Sequence, residues 1–74
     1  MKHDIYIQIL TYHKKLSYPY LTTQARIALL TEYTRFVQYL YTTHYFTVEE
    51  FNACILFAHN IAAIYKIKMV ITKK

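Results

Sequence analysis

Phe46-Thr47-Val48-Glu49-Glu50-Phe51, followed by the apolar run from Cys54 to Tyr65, decides the fold of this chain. The Thr47 hydroxyl is placed to accept from the free amide of Glu50, and the Glu50 carboxylate can reach back to the amide of Thr47. That reciprocal pair is a capping box. Phe46 before the cap and Phe51 four residues after it have the spacing of a hydrophobic staple. Glu49 and Glu50 also lay negative charge on the positive end of the helix dipole. Three signals with different physical origins converge on one residue, so a helix starts at Thr47.

Outward from that point the chain divides into three rods. Toward the N-terminus, Thr42-Thr43-His44 closes a second helix only a few residues before the Thr47 cap. So short a connection makes the two helices antiparallel neighbours, an αα-hairpin. Leu29, Tyr33, Phe36, Val37 and Leu40 form the inner face of that second helix on a 100° wheel, and Gln24, Thr31, Arg35, Gln38 and Thr42 form its solvent face. Arg26 falls at the edge of the apolar side, where its stem packs and its head reaches water. Thr22 or Thr23 caps the helix. Before it, Pro19 in Ser17-Tyr18-Pro19-Tyr20 removes an amide donor and pushes Tyr18 out of the α region.

The first segment reads two ways. Ile5, Ile9, Tyr12 and Leu16 recur at helical spacing, with Gln8, Thr11, Lys14 and Lys15 opposite and Asp4 as a cap. Ile5, Ile7 and Ile9 also alternate as a strand would. The helical template covers more residues and misplaces only Ile7, so helix is the expectation. Lys66 to Ile71 alternates too, and is read as a continuing helix because nothing stops it earlier. The fold class expected is all-α: one domain over 1–74, with helices over about 4–17, 23–44 and 47–68.

Composition says what such a domain must do with its surface. A chain of 74 residues buries only about 60% of its unfolded area. Yet 55% of its residues are hydrophobic, above the usual range. The third helix carries more apolar surface than a hairpin needs. Phe51, Cys54, Ile55, Ala58, Ile61, Ala62 and Tyr65 form one face toward the other helices. Ala53, Phe57, Asn60, Ile64 and Ile67 form a second, at the alternating four-and-three spacing of a helix–helix seam. A second copy of the chain is the expected occupant of that face, and Asn60 is the polar residue that would set its register. A homodimer follows.

Chemistry is harder to find. His3, His13, His44 and His59 show no i, i+3 or i, i+4 pairing, so no metal site is expected. Cys54 and His59 diverge around a helix by about 140°, which leaves no nucleophile–base pair. Glu49 and Glu50 are engaged at the helix start, and without glycine there is no phosphate-cradling loop. The chain is therefore read as non-enzymatic, without cofactors. One cysteine and no secretory h-region suit a cytoplasmic protein. The window Phe51 to Val70 contains Asn52, His59, Asn60, Lys66 and Lys68, too polar for a membrane span.

The net charge of +5 and nine tyrosines favour a partner. Lys14, Lys15, Tyr18, Tyr20, Arg26 and Arg35 are the expected contacts, since aromatics beside cations can stack on bases and hold phosphates, or anchor a protein. The leading expectation is a small basic regulatory protein acting through protein–protein contacts as a homodimer. A small nucleic-acid-binding regulator is the alternative. A ribbon-helix-helix dimer and peripheral membrane attachment are weaker readings; Pro19 interrupts the strand-to-helix passage that the former requires.

Overall fold

The computed structural model describes residues 2–67, and these form three α-helices in chain order: α1 (Lys2–Leu16), α2 (Thr23–Thr42) and α3 (Val48–Ile64). Among the described residues there is no strand, so the alternating reading of Ile5 to Ile9 yields to the helical one. Residues 68–71 of the second ambiguous stretch lie outside the described residues. The helix start at Thr47 forms as its chemistry dictates. The Thr47 hydroxyl accepts from the Glu50 amide at 3.2 Å, and the Glu50 carboxylate accepts from the Thr47 amide at 2.9 Å. Thr22 caps α2, accepting from the Ala25 amide at 3.1 Å. Asp4 does not cap α1; it lies within the first turn, where its charge complements the dipole.

α2 is the middle element and packs against both others. Leu30, Tyr33, Val37 and Leu40 of α2 meet Ile9 and Leu16 of α1 and Cys54, Ala58, Ile61 and Ala62 of α3 in one buried cluster. Aromatic edges lock the layers. Tyr12 lies 5.6 Å from Tyr33 and 5.8 Å from Phe36, and Tyr41 stacks on Phe51 at 4.5 Å. Phe46 is buried beside Tyr6. The two staple phenylalanines thus find aromatic partners on α1 and α2.

Two helix ends differ from expectation, for one reason. The chain has no glycine, yet His44 takes φ 67° and Lys66 takes φ 56°. Each sits one residue past a C-cap. Tyr45 donates to the Leu40 carbonyl at 2.9 Å and His44 to Tyr41 at 3.1 Å; Ile67 donates to Ala62 at 2.8 Å and Lys66 to Ala63 at 3.4 Å. Both are Schellman closures. They end α2 at Thr42 rather than 44 and α3 at Ile64 rather than 68. The second closure folds Ile67 back into the core, where it is buried.

Arg26 is the larger correction. It is only 2% exposed, and its head does not reach water. Its guanidinium donates to the Leu16 carbonyl at 3.2 Å, to the Leu21 carbonyl at 3.1 Å and to the Tyr18 carbonyl. The Tyr65 ring covers it, with the guanidinium carbon 3.5 Å from the ring centroid. One side chain therefore closes the end of α1, holds the connecting loop and joins both to the end of α3.

Replacing Arg26 by alanine strips three carbonyls of charged donors and should cost about 3 kcal/mol or more, a large part of the roughly 4–11 kcal/mol expected for this length. Arg26→Lys should recover only part of the loss, because an ammonium lacks the planar fork. Urea unfolding followed by circular dichroism measures both. In the same assay His44→Gly should stabilise by about 1 kcal/mol, by removing the left-handed penalty of a side chain with a Cβ.

Candidate functional site

Two parts of the surface carry the residues singled out from the sequence. The first is the side shared by α1 and α3. The Tyr6 hydroxyl donates to the Glu50 carboxylate at 2.5 Å, and that bond pushes the Tyr6 phenol above its usual pKa. Two turns further along both helices, His13 stacks on Phe57 with ring centroids 3.8 Å apart. Leu10 lies between Tyr6 and His13 on α1, and Ala53 lies between Glu50 and Phe57 on α3. Leu10 is 63% exposed; Leu56 and Ile64, on the outer side of α3, are 61% and 67% exposed. Asn60 and Ala53 are exposed between them.

The five-residue face read from spacing is therefore divided. Ala53, Asn60 and Ile64 lie on the open side. Phe57 does not: it is half-buried under His13 and edge-on to Tyr33 at 5.9 Å. Ile67 is carried into the core by the closure at Lys66. In their place Leu10 and Leu56 join the strip. The spacing on α3 alone could not select Leu10, which belongs to another helix.

The second part is the end of the molecule where α1 finishes. Lys14 and Lys15 are exposed on its last turn, and Tyr18 and Tyr20 project from the loop, 55% and 83% exposed. Their rings meet edge-on at 5.6 Å and 70°. Arg26 is beneath this loop, not on its surface, so it is removed from the candidate contacts. Arg35 lies on the solvent face of α2, nine residues or roughly 13 Å further along the helix, and is not brought to the same place. Lys66 is: it follows Tyr65, whose hydroxyl donates to the Ser17 carbonyl at 3.4 Å.

Between the helices runs a polar connection that spacing did not reveal. His13 Nε2 lies 2.8 Å from the Tyr33 hydroxyl, which itself donates to the Cys54 carbonyl at 3.3 Å. With the Tyr33 proton engaged there, the Tyr33 oxygen accepts from an Nε2–H tautomer of His13. Burial pushes the Tyr33 phenol far up and the Cys54 thiol up, so both stay protonated near neutrality. Neither is an activated group. A shallow cleft of about 250 Å³ between α1 and α2 is lined by Ile7, Gln8, Thr11, Tyr12, Lys15, Leu29 and Glu32. It falls below the size of ordinary small-molecule sites. Among the described residues no group of three His, Cys, Asp or Glu side chains is placed to hold a metal, and no helix is long and apolar enough to cross a membrane.

No protein-family model, curated protein or solved structure matches the chain.

His13 gives this arrangement a pH dependence. Burial holds its imidazole below the usual value of 6.5. Between the folded pKa and 6.5 the unfolded chain binds more protons, so stability falls as pH drops through that window and levels off below it. The facing groups, Tyr33 from α2 and Phe57 and Cys54 from α3, supply no carboxylate to reverse the sign. Urea midpoints between pH 7.5 and 5 should decline for the parent, and His13→Gln should flatten the part of the decline due to this residue.

Proposed function

We propose that this chain is a non-enzymatic interaction protein that acts as a homodimer, pairing through the strip formed by Leu10 of α1 and Ala53, Leu56, Asn60 and Ile64 of α3. One observation carries the reading. Three large aliphatic side chains on adjoining faces of two helices are each more than three-fifths exposed, although the same helices bury Ile9, Leu16, Ala58, Ile61 and Ala62 in the core. Scattered exposed apolar residues are ordinary, but contiguous ones mark a contact surface. The floor of the strip is firm: His13 on Phe57 and Tyr6 on Glu50 hold α1 against α3 directly beneath it.

A second copy is the occupant that needs no further protein, and a two-fold contact presents the same strip from both sides. Asn60 in the middle of the strip is then the polar group that penalises out-of-register pairings. The α2–α3 unit, read as an antiparallel hairpin, supplies the scaffold. Such a dimer suits a small regulatory protein of the cytoplasm, whose activity is to bind or block another protein.

Sedimentation across a range of concentrations tests the reading. Burying a leucine is worth about 1.5–3 kcal/mol, and a two-fold interface contains each residue twice. Ile64→Glu or Leu10→Glu should therefore raise the dimer dissociation constant at least about a hundredfold, while circular dichroism stays unchanged. Asn60→Leu should tighten the assembly or change its size. A parent that sediments as a monomer at every concentration overturns the proposal.

A further inference from the structure

The loop between α1 and α2 is held from within and open without. Arg26 binds the carbonyls of Leu16, Tyr18 and Leu21, and Tyr65 binds that of Ser17. The amides of Tyr18 and Leu21 close onto the carbonyls of Lys15 and Tyr18 at 3.2 and 3.3 Å. Pro19 fixes its own φ between the two tyrosines. The backbone is tied down, yet its largest side chains, Tyr18 and Tyr20, stand in water. The ordering entropy that a flexible loop would lose on binding has already been spent in folding.

Charge around the loop is one-sided. Lys14 and Lys15 flank it on α1, and Lys66 flanks it at the end of α3. Of the four acidic residues in the chain, Asp4 lies in the first turn of α1 and Glu49 and Glu50 in the first turn of α3. The Tyr6–Glu50 and His13–Phe57 contacts put those two first turns at the same end of the molecule. The length of α1, roughly 20 Å, therefore separates all three from the loop. Glu32 is the remaining one; it lines the α1–α2 cleft with Tyr12 and Lys15.

We propose that the Tyr18-Pro19-Tyr20 loop, with Lys14, Lys15 and Lys66, is a binding site for single-stranded nucleic acid. Exposed phenol rings offer π-faces on which unpaired bases stack, and the surrounding ammonium groups hold the phosphates. A duplex presents its bases only in grooves, which a helix or ribbon enters and a six-residue connection does not fill. A lipid surface is served by a broad apolar face inserted beneath the cations, and here the loop tip offers only two tyrosines and a proline. An acidic protein would use the lysines but has no need of two outward rings. The single strand uses both.

Fluorescence anisotropy of labelled oligo-dT and oligo-U, titrated with the full chain from low salt upward, tests the site. Binding should weaken linearly in log–log salt, and Lys14→Glu and Lys66→Glu should each lower the slope by about 0.7. Tyr20→Ala should weaken binding about tenfold, whereas Tyr45→Ala, an exposed tyrosine outside this loop, should leave it unchanged. Both tyrosine variants keep the Arg26 clamp, and circular dichroism confirms their fold. The proposal is overturned by no binding at low salt, by an affinity that Tyr18→Ala and Tyr20→Ala leave intact, or by binding to phosphatidylserine vesicles without binding to either oligonucleotide.

Discussion

A single buried guanidinium organises this fold. The end of α1 faces the loop with carbonyls that no further helical turn can satisfy. Those carbonyls are also the negative end of the helix dipole. Arg26 meets both needs at once, because its planar fork reaches the carbonyls of Leu16, Tyr18 and Leu21 in different directions. No carboxylate is required to neutralise it: three carbonyl dipoles and the Tyr65 ring solvate the charge instead. The cation is buried without an unsatisfied polar atom, which is the condition for burying one at all. Every other feature of this end follows from the clamp. Tyr65 is drawn over the guanidinium, its hydroxyl reaches Ser17, and α3 must stop so that the chain can turn there.

Absent glycine shapes the rest. Helices α2 and α3 both close with a left-handed residue, and in this chain a side chain with a Cβ has to occupy it. His44 and Lys66 accept that penalty because each closure satisfies two terminal carbonyls and delivers an apolar residue into place. Ile67 is the clearer case, since its burial completes the core beside Ala62 and Ile61. The strain is local and the return is tertiary packing, so the balance can favour the closure even without the residue that makes it cheapest.

This contrast explains what could be read from residues alone. The Thr47 start was legible because a capping box needs only partners three residues apart, and the inner face of α1 and, apart from the buried Leu30, that of α2 were legible because periodicity is local. Arg26 was not. On a helical wheel it sits beside the apolar arc, and the general rule for arginine is that its head escapes to water. Its partners are backbone carbonyls, which every residue has and no residue type announces. The same holds for His13, whose role depends on Tyr33 twenty residues away and on a carbonyl of α3. The face on α3 was half legible: spacing found Ala53, Asn60 and Ile64, but neither the closure at Lys66 that withdraws Ile67 nor the His13 ring that covers Phe57. Leu10 and Leu56 completed the strip only once α1 had been laid beside α3.

The strip and the loop then pose a geometric question with a physical answer. The strip runs along α1 and α3, whereas Tyr18 and Tyr20 stand beyond the end of α1, so a copy paired over Leu10, Leu56 and Ile64 leaves the rings uncovered. Lys14 is the one cation on the last turn of α1 that also borders the strip. Pairing brings a second loop into the same particle, and two tethered sites for one strand act at an effective concentration set by their separation rather than by the solution. Parallel pairing would place both loops at one end, within reach of a short strand; antiparallel pairing would hold them apart by about the length of α3, roughly 25 Å for its 17 residues. Like charges favour the second arrangement, since parallel pairing would crowd Lys14, Lys15 and Lys66 of both copies together. Self-association would thus set the length of strand that two clamped loops can share.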